Sequence, residues 1–134
     1  MYSQAVKCLP DNEVIWNDYG VSFFRLKQYK KAKEALNKAI VLISKYALAY
    51  RNLAVIAWQG KDDPAGRDMA EKAASLDPSD ENLRYAAHAY IILSGRQTGE
   101  EKKKSLRMAA EYYRRIKNIS EASQHNLSII ENSL

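Results

Sequence analysis

Apolar and small residues recur three and four apart from Trp16 to Ala39, in the segment WNDYGVSFFRLKQYKKAKEALNKA. Trp16, Tyr19, Gly20 and Phe23 form one series; Tyr29, Ala32, Leu36 and Ala39 form a second. Each spacing puts its series on one face of an α-helix. The polar pair Lys27-Gln28 separates the two. Helices joined by so short a break fold back as an antiparallel hairpin. Gly20 and Ala32 carry almost no side chain, so the pattern predicts that the two backbones approach closely where they cross.

A shift of 34 residues nearly superimposes the chain on itself. Trp16 falls on Tyr50, Tyr19 on Leu53, Gly20 on Ala54 and Ala32 on Gly66. Leu36 falls on Ala70, Ala39 on Ala73 and Leu42 on Leu76. Chance does not keep size class at so many positions. The pattern divides the chain into a first repeat over 13–46 and a second over 47–80. Helices are predicted over 13–26 and 29–42, the first capped by Asp11-Asn12. In the second repeat one helix ends at Gly60. The next opens at Asp62 or Asp63 with Pro64 in its first turn, and stops before Asp77-Pro78.

Ala5 lies on the ladder of Ala39 and Ala73, and Pro10 on that of Ser44 and Pro78. Residues 2–12 therefore read as the end of a preceding repeat helix, in a piece of a longer array. The third repeat, 81–119, departs from the period. Removing one linker residue sets Leu83 on Trp16 and Ala86–Tyr90 on Tyr19–Phe23. It also keeps His88 out of the crowded helix contact and beside Val21 and Val55. An insertion near 96–108 lengthens the next helix, predicted from Thr98 or Gly99 to about Asn118. Ser120 caps a last helix over 121–133, whose stripe of Leu127, Ile130 and Leu134 suits a cap at 120–134.

A helical hairpin repeated every 34 residues, with W-x-x-[LY]-[GA] and later small positions, resembles the tetratricopeptide repeat. The resemblance covers residues 2–119 and is strongest over 13–80. It implies an all-α fold, a right-handed solenoid of antiparallel helix hairpins. It also implies a concave groove lined by the first helix of each hairpin. By the matched spacing that groove presents Asn17, Val21, Phe24 and Arg25 from the first repeat. Arg51, Asn52, Val55 and Trp58 come from the second, and Arg84, Tyr85 and His88 from the third. Trp58 and Phe24 lie beyond the positions needed for contact inside a hairpin, as anchors for a partner would; the alternative is that they pack against neighbouring helices. Some relatives grip the C-terminal carboxylate of chaperone tails with lysine, arginine and asparagine on this face. Asn52 fits the asparagine of such a clamp, but Asn17 and Val21 do not supply its other residues, and the third repeat lacks its basic pair. The chaperone-tail reading is therefore set aside. The expected ligand is a protein or peptide, with apolar anchors and some acidic groups.

Composition narrows the alternatives. The chain has 134 residues, 46% hydrophobic and 28% charged, as expected of one domain with its own core. Its apolar runs are far short of a membrane span, and no signal peptide is visible. The single Cys8 excludes an internal disulfide and a multi-cysteine zinc site. It leans toward a reducing, cytoplasmic compartment. No Gly-rich phosphate loop, nucleophile elbow or H-E-x-x-H pattern occurs, so neither catalysis nor a cofactor or metal is expected. His88 and His125 have no evident acid or metal partner. The net charge of +5 is modest. Lys102, Lys103, Lys104, Arg107, Arg114, Arg115 and Lys117 make the 100–118 helix basic. This leaves nucleic-acid association as an alternative to the peptide groove, though a solvated face explains such a run more simply. Self-association through the terminal faces is another alternative.

Overall fold

The computed structural model describes residues 12–43 and 45–134. The reading of residues 2–12 as the end of a preceding helix lies outside the described residues, apart from Asn12. The helices are α1 (Glu13–Arg25), α2 (Tyr29–Leu42), α3 (Ala47–Gln59), α4 (Asp63–Leu76), α5 (Asp80–Ser94), α6 (Gly99–Arg115) and α7 (Glu121–Ser133). No strand occurs among the described residues. Each helix packs on the next, and α1 also touches α3. The result is an α-solenoid of three antiparallel hairpins, α1/α2, α3/α4 and α5/α6, followed by α7. The turns inside the hairpins share one edge, and the linkers between hairpins share the other.

Local chemistry sets most helix starts. Asn12 Oδ1 accepts from Val14 N at 3.0 Å and Ile15 N at 3.2 Å, satisfying two otherwise orphaned donors of α1. Asp62 does the same for Ala65 N at 3.2 Å, with Pro64 in the first turn of α4. Ser79 caps α5 and Ser120 caps α7. The hairpin turns place Lys27 at φ 60° and Lys61 at φ 58°, both in the left-handed region.

Small residues let the helices nest. A methyl group added at Gly20 would sit 2.8 Å from Leu36 Cγ and 3.2 Å from the Ala32 carbonyl oxygen. Only a bare Cα fits there. Ala32, Leu36 and Ala39 of α2 are buried with Ala49, Leu53 and Ile56 of α3, and Trp16, Phe23 and Tyr29 pack at the margin. Ala54, Ala70 and Ala89 meet under Trp58 and Met69. Ala73 is also buried. In α5, Ala87 is fully buried while its neighbour His88 is exposed. Ala87 is buried in α5 as Gly20 is in α1 and Ala54 in α3. A cation also recurs at the repeat period. Lys38 Nζ stands 4.7 Å from the Trp16 ring centroid, and Lys72 Nζ stands 6.0 Å from that of Tyr50.

One boundary differs from expectation. The sequence predicts α6 to run to about Asn118, but it stops at Arg115. Ile116 turns extended, with φ −71° and ψ 126°. The Asp80 carboxylate accepts from Lys117 N at 3.0 Å and Asn118 N at 3.1 Å. A distant carboxylate thus holds these amides outside the helix. Beyond the turn, α7 buries Leu127 and Ile130 against Tyr113, and Asn126 Nδ2 donates to Tyr113 Oη at 3.3 Å. Leu134, expected on the same stripe, is exposed.

Candidate peptide-binding groove

The first helices of the hairpins, α1, α3 and α5, build one continuous face. Their polar side chains are largely engaged with one another. Asn52 Nδ2 donates to Asn17 Oδ1 at 3.0 Å and ties the first hairpin to the second. Arg51 Nη1 donates to Asn82 Oδ1 at 3.1 Å and lies 3.3 Å from Glu81 Oε2. Asn82 Nδ2 in turn donates to the Asp77 carbonyl at 2.8 Å. Arg84 pairs loosely with Glu81 at 3.9 Å. The guanidinium carbons of Arg51 and Arg84 stand 5.1 and 5.2 Å from the Tyr85 ring centroid. A buried amide with its partner removed costs about 1–3 kcal/mol, so these bonds fix the stacking of the hairpins.

Beside this lattice lies a cleft of about 280 Å³. Gly20, Val21, Phe24 and Arg25 of α1 form one wall, and Asn52, Val55 and Ile56 of α3 the other. Leu36 forms part of its lining, and Tyr85 reaches it from α5. The surface offered is mainly apolar. Gly20 lines the cleft as well as the helix crossing.

The structure sorts the eleven groove residues that the sequence singles out. Val21, Phe24, Arg25, Asn52, Val55 and Tyr85 come together around the cleft. Asn17 is 3% exposed and is spent on Asn52. Arg51 is spent on Asn82 and Glu81. Trp58 corrects the expectation that it lies beyond the intrahairpin contacts. Its indole lies directly over Gly66 of the partner helix α4, where any Cβ would collide with it. Trp58 also stacks with Tyr85 at 6.2 Å and meets His88 edge-on at 5.5 Å. Trp58 Nε1 is buried without a hydrogen-bond partner among the described residues. Phe24 does both jobs, packing on Tyr29 at 5.5 Å and lining the cleft. The face of His88 turned toward Trp58 loses water, and the Arg84 guanidinium repels a second positive charge. Both push the His88 pKa below its ordinary value, in that order, although the outer edge of the ring is exposed.

Sequence reading did not find a second polar centre. Tyr90 Oη and Tyr112 Oη donate to opposite oxygens of Glu71, at 2.8 and 2.7 Å. Three helices, α4, α5 and α6, meet there. Burial, then the bond to Glu71, pushes the Tyr90 pKa up to about 12, and raises that of Tyr112 further. Only a matched spacing between hairpins could have signalled it, and these residues share no repeat position. The basic run of α6 is partly absorbed by the fold. Lys103 pairs with Glu100 at 3.8 Å, Arg114 with Glu131 at 3.1 Å, and Arg115 stands 5.4 Å from the Tyr112 ring centroid. Among the described residues no group of three His, Cys, Asp or Glu could hold a metal ion. No helix among them is long and apolar enough to cross a membrane.

No family model matches the chain, and no curated protein sequence matches it. Solved structures do. The first TPR domain of Spaghetti (RPAP3), bound to the HSP90 peptide SRMEEVD, superposes with a TM-score of 0.73 at 15% identity, covering 90% of this chain and 94% of that one. The TPR2B domain of yeast Sti1, in complex with an Hsp70 peptide, gives 0.68 at 18% identity, covering 91% and 98%. The Sgt2 TPR domain of Aspergillus fumigatus gives 0.67 at 16% identity, covering 90% and 78%. The hairpin period, the small residues at the crossings and these superpositions agree: the chain has the tetratricopeptide-repeat fold.

Proposed function

We propose that this chain is a non-catalytic module that binds a segment of a partner protein along the face of α1, α3 and α5. One observation carries the reading: the apolar cleft between α1 and α3, open on that face and bounded by Val21, Phe24, Val55 and Tyr85. Its size suits one apolar side chain of a ligand, and its walls stand on helices that other contacts already hold in place. Pre-formed walls lose little entropy when a ligand binds. Two of the structural neighbours carry bound chaperone peptides, which supports a protein ligand in general. A chaperone-tail clamp is not part of the proposal. Asn17 is buried and bonded to Asn52, and Arg51 is held by Asn82 and Glu81. The polar groups nearest the groove axis are thus committed inside the fold.

The test is capture of partners from lysate by the intact chain, compared with Val55→Asp and with Lys45→Gln as a surface control. Val55→Asp puts a charge on the cleft wall without touching the hairpin core. At least a tenfold loss of the captured partner is expected for Val55→Asp, with none for the control. Equal recovery by all three proteins, with unchanged thermal melting, places the binding face elsewhere.

A further inference from the structure

The turn between α1 and α2 carries a run of cations that the fold uses only in part: Lys31 Nζ stands 5.7 Å from the Phe23 ring centroid and Arg25 lies in the last turn of α1. Arg25, Lys27, Lys30, Lys31 and Lys33 fall within one short segment, and no acidic residue lies among them. All five are exposed. Among the described residues none of the five forms an ion pair, whereas Arg51, Arg67, Arg84, Arg96, Lys103 and Arg114 each do. Glu34 follows Lys33 and is the nearest acid in sequence, whereas the matching turns carry their acids beside the cations. Lys61 is followed by Asp62 and Asp63, and Arg96 pairs with Asp63 at 2.7 Å. Lys102, Lys103 and Lys104 follow Glu100 and Glu101.

Position sharpens the contrast. Lys30 and Lys31 stand in the first turn of α2, where the helix end is already positive. The helices α1, α4, α5, α6 and α7 each put an acid in that turn; α3 has neither acid nor cation there, and α2 has two lysines. Lys27 adds a left-handed backbone at φ 60°. In the middle of these cations Leu26 is 66% exposed. Like charges so placed repel one another and the helix end, and a bound anionic segment would remove that repulsion.

We propose that the α1–α2 turn docks an acidic stretch of the same partner whose apolar side chain enters the cleft; this rests on the groove reading above. Continuity joins the two surfaces, because Arg25 both lines the cleft and begins the cationic segment. Charge complementarity selects an Asp- or Glu-rich chain. A protein segment fits better than nucleic acid, because Tyr29, the one aromatic ring in this segment, is packed against Phe24 and offers no free platform for a base.

Two labelled synthetic peptides test it, one with a phenylalanine followed by six glutamates and one with six glutamines instead. Fluorescence anisotropy on the intact chain at low salt is expected to show the glutamate peptide binding about tenfold tighter, with the difference fading in high salt. Lys27→Gln/Lys30→Gln/Lys31→Gln should erase the difference and melt no lower than the parent. Equal affinity of the two peptides for the parent chain, with both lost on changing phenylalanine to alanine, overturns this proposal and leaves the groove reading standing. Undetectable binding of both peptides removes the two together. An unchanged glutamate preference in the triple variant also overturns the proposal. So does full binding of the glutamate peptide after the phenylalanine is removed, since cleft and turn would then act apart. Sedimentation with phosphatidylserine vesicles, lost in the triple variant and without any glutamate preference, would reassign the turn to a membrane surface.

Discussion

Glu71 shows how one residue can fasten three helices. Its carboxylate takes a hydroxyl donor on each oxygen, from Tyr90 and Tyr112, whose rings lie 6.1 Å apart. Both phenols are held protonated, Tyr90 to about pH 12 and Tyr112 beyond it, first by burial and then by Glu71. An unfolded tyrosine ionises near its ordinary value of 10.0. Between that value and the folded one the unfolded chain binds fewer protons than the folded chain, so stability falls as pH rises. The stabilisation is complete below about pH 10 and is lost through the range above it. Urea titrations at pH 7 to 11 should show this fall, and Tyr112→Phe should make it shallower. At pH 7 the same variant should lose about 1.5–3 kcal/mol, because a bond to a charged acceptor goes. An unchanged slope would place the coupled protons elsewhere. Spacing alone could not reveal this centre. It does reveal Gly20, whose missing side chain is needed at a crossing, because the same size class returns at Ala54. Trp58 was legible as an aromatic on the inner face, but its lodging over Gly66 depends on a rotamer that sequence does not encode.

At the scale of the helix, starts were easier to read than stops. Asn12, Asp62, Ser79 and Ser120 each accept an amide within their own first turn, so the signal is local. The end of α6 is not local, since Asp80 at the start of α5 removes Lys117 N and Asn118 N from it. No reading of residues 110–120 by themselves contains that information. The starts of α2, α3 and α6 lack such a cap bond, and α2 alone of the three puts cations in its first turn. Gln28 makes no side-chain cap bond, and Lys30 and Lys31 oppose the helix dipole. Lys30→Glu should therefore stabilise the chain by about 0.3–1 kcal/mol at low ionic strength, read as a higher melting temperature that converges with the parent in salt. The same change should weaken binding of the glutamate peptide. Opposite signs for stability and binding would mark a helix end kept unfavourable for a ligand. A fall in both would mean that Lys30 makes a contact that holds the fold.

Across the whole molecule, hairpins rest on their neighbours, and the period of 34 residues announces this before any contact is known. What the period does not announce is which polar groups meet between hairpins. Asn17 and Asn52 read as ligand donors, yet they bind each other; Arg51 reads as a ligand clamp, yet it holds the third hairpin. Asn17 meets Asn52 and Arg51 meets Asn82 across adjacent first helices, so residues near a ligand are also near the next repeat. Stability in such an array is close to a sum of hairpin terms and interface terms. Asn82 is the hub of the second interface: it accepts from Arg51, donates to the Asp77 carbonyl, and its own amide is capped by Ser79. Asn82→Ala leaves the part-buried bond to the Asp77 carbonyl unmade and frees Arg51. Hydrogen exchange should then quicken across α5, α6 and α7, while α1 and α2 keep the protection they have in the parent chain. Uniform quickening in all seven described helices would instead show that the interfaces are stiff enough for the stack to open as one unit.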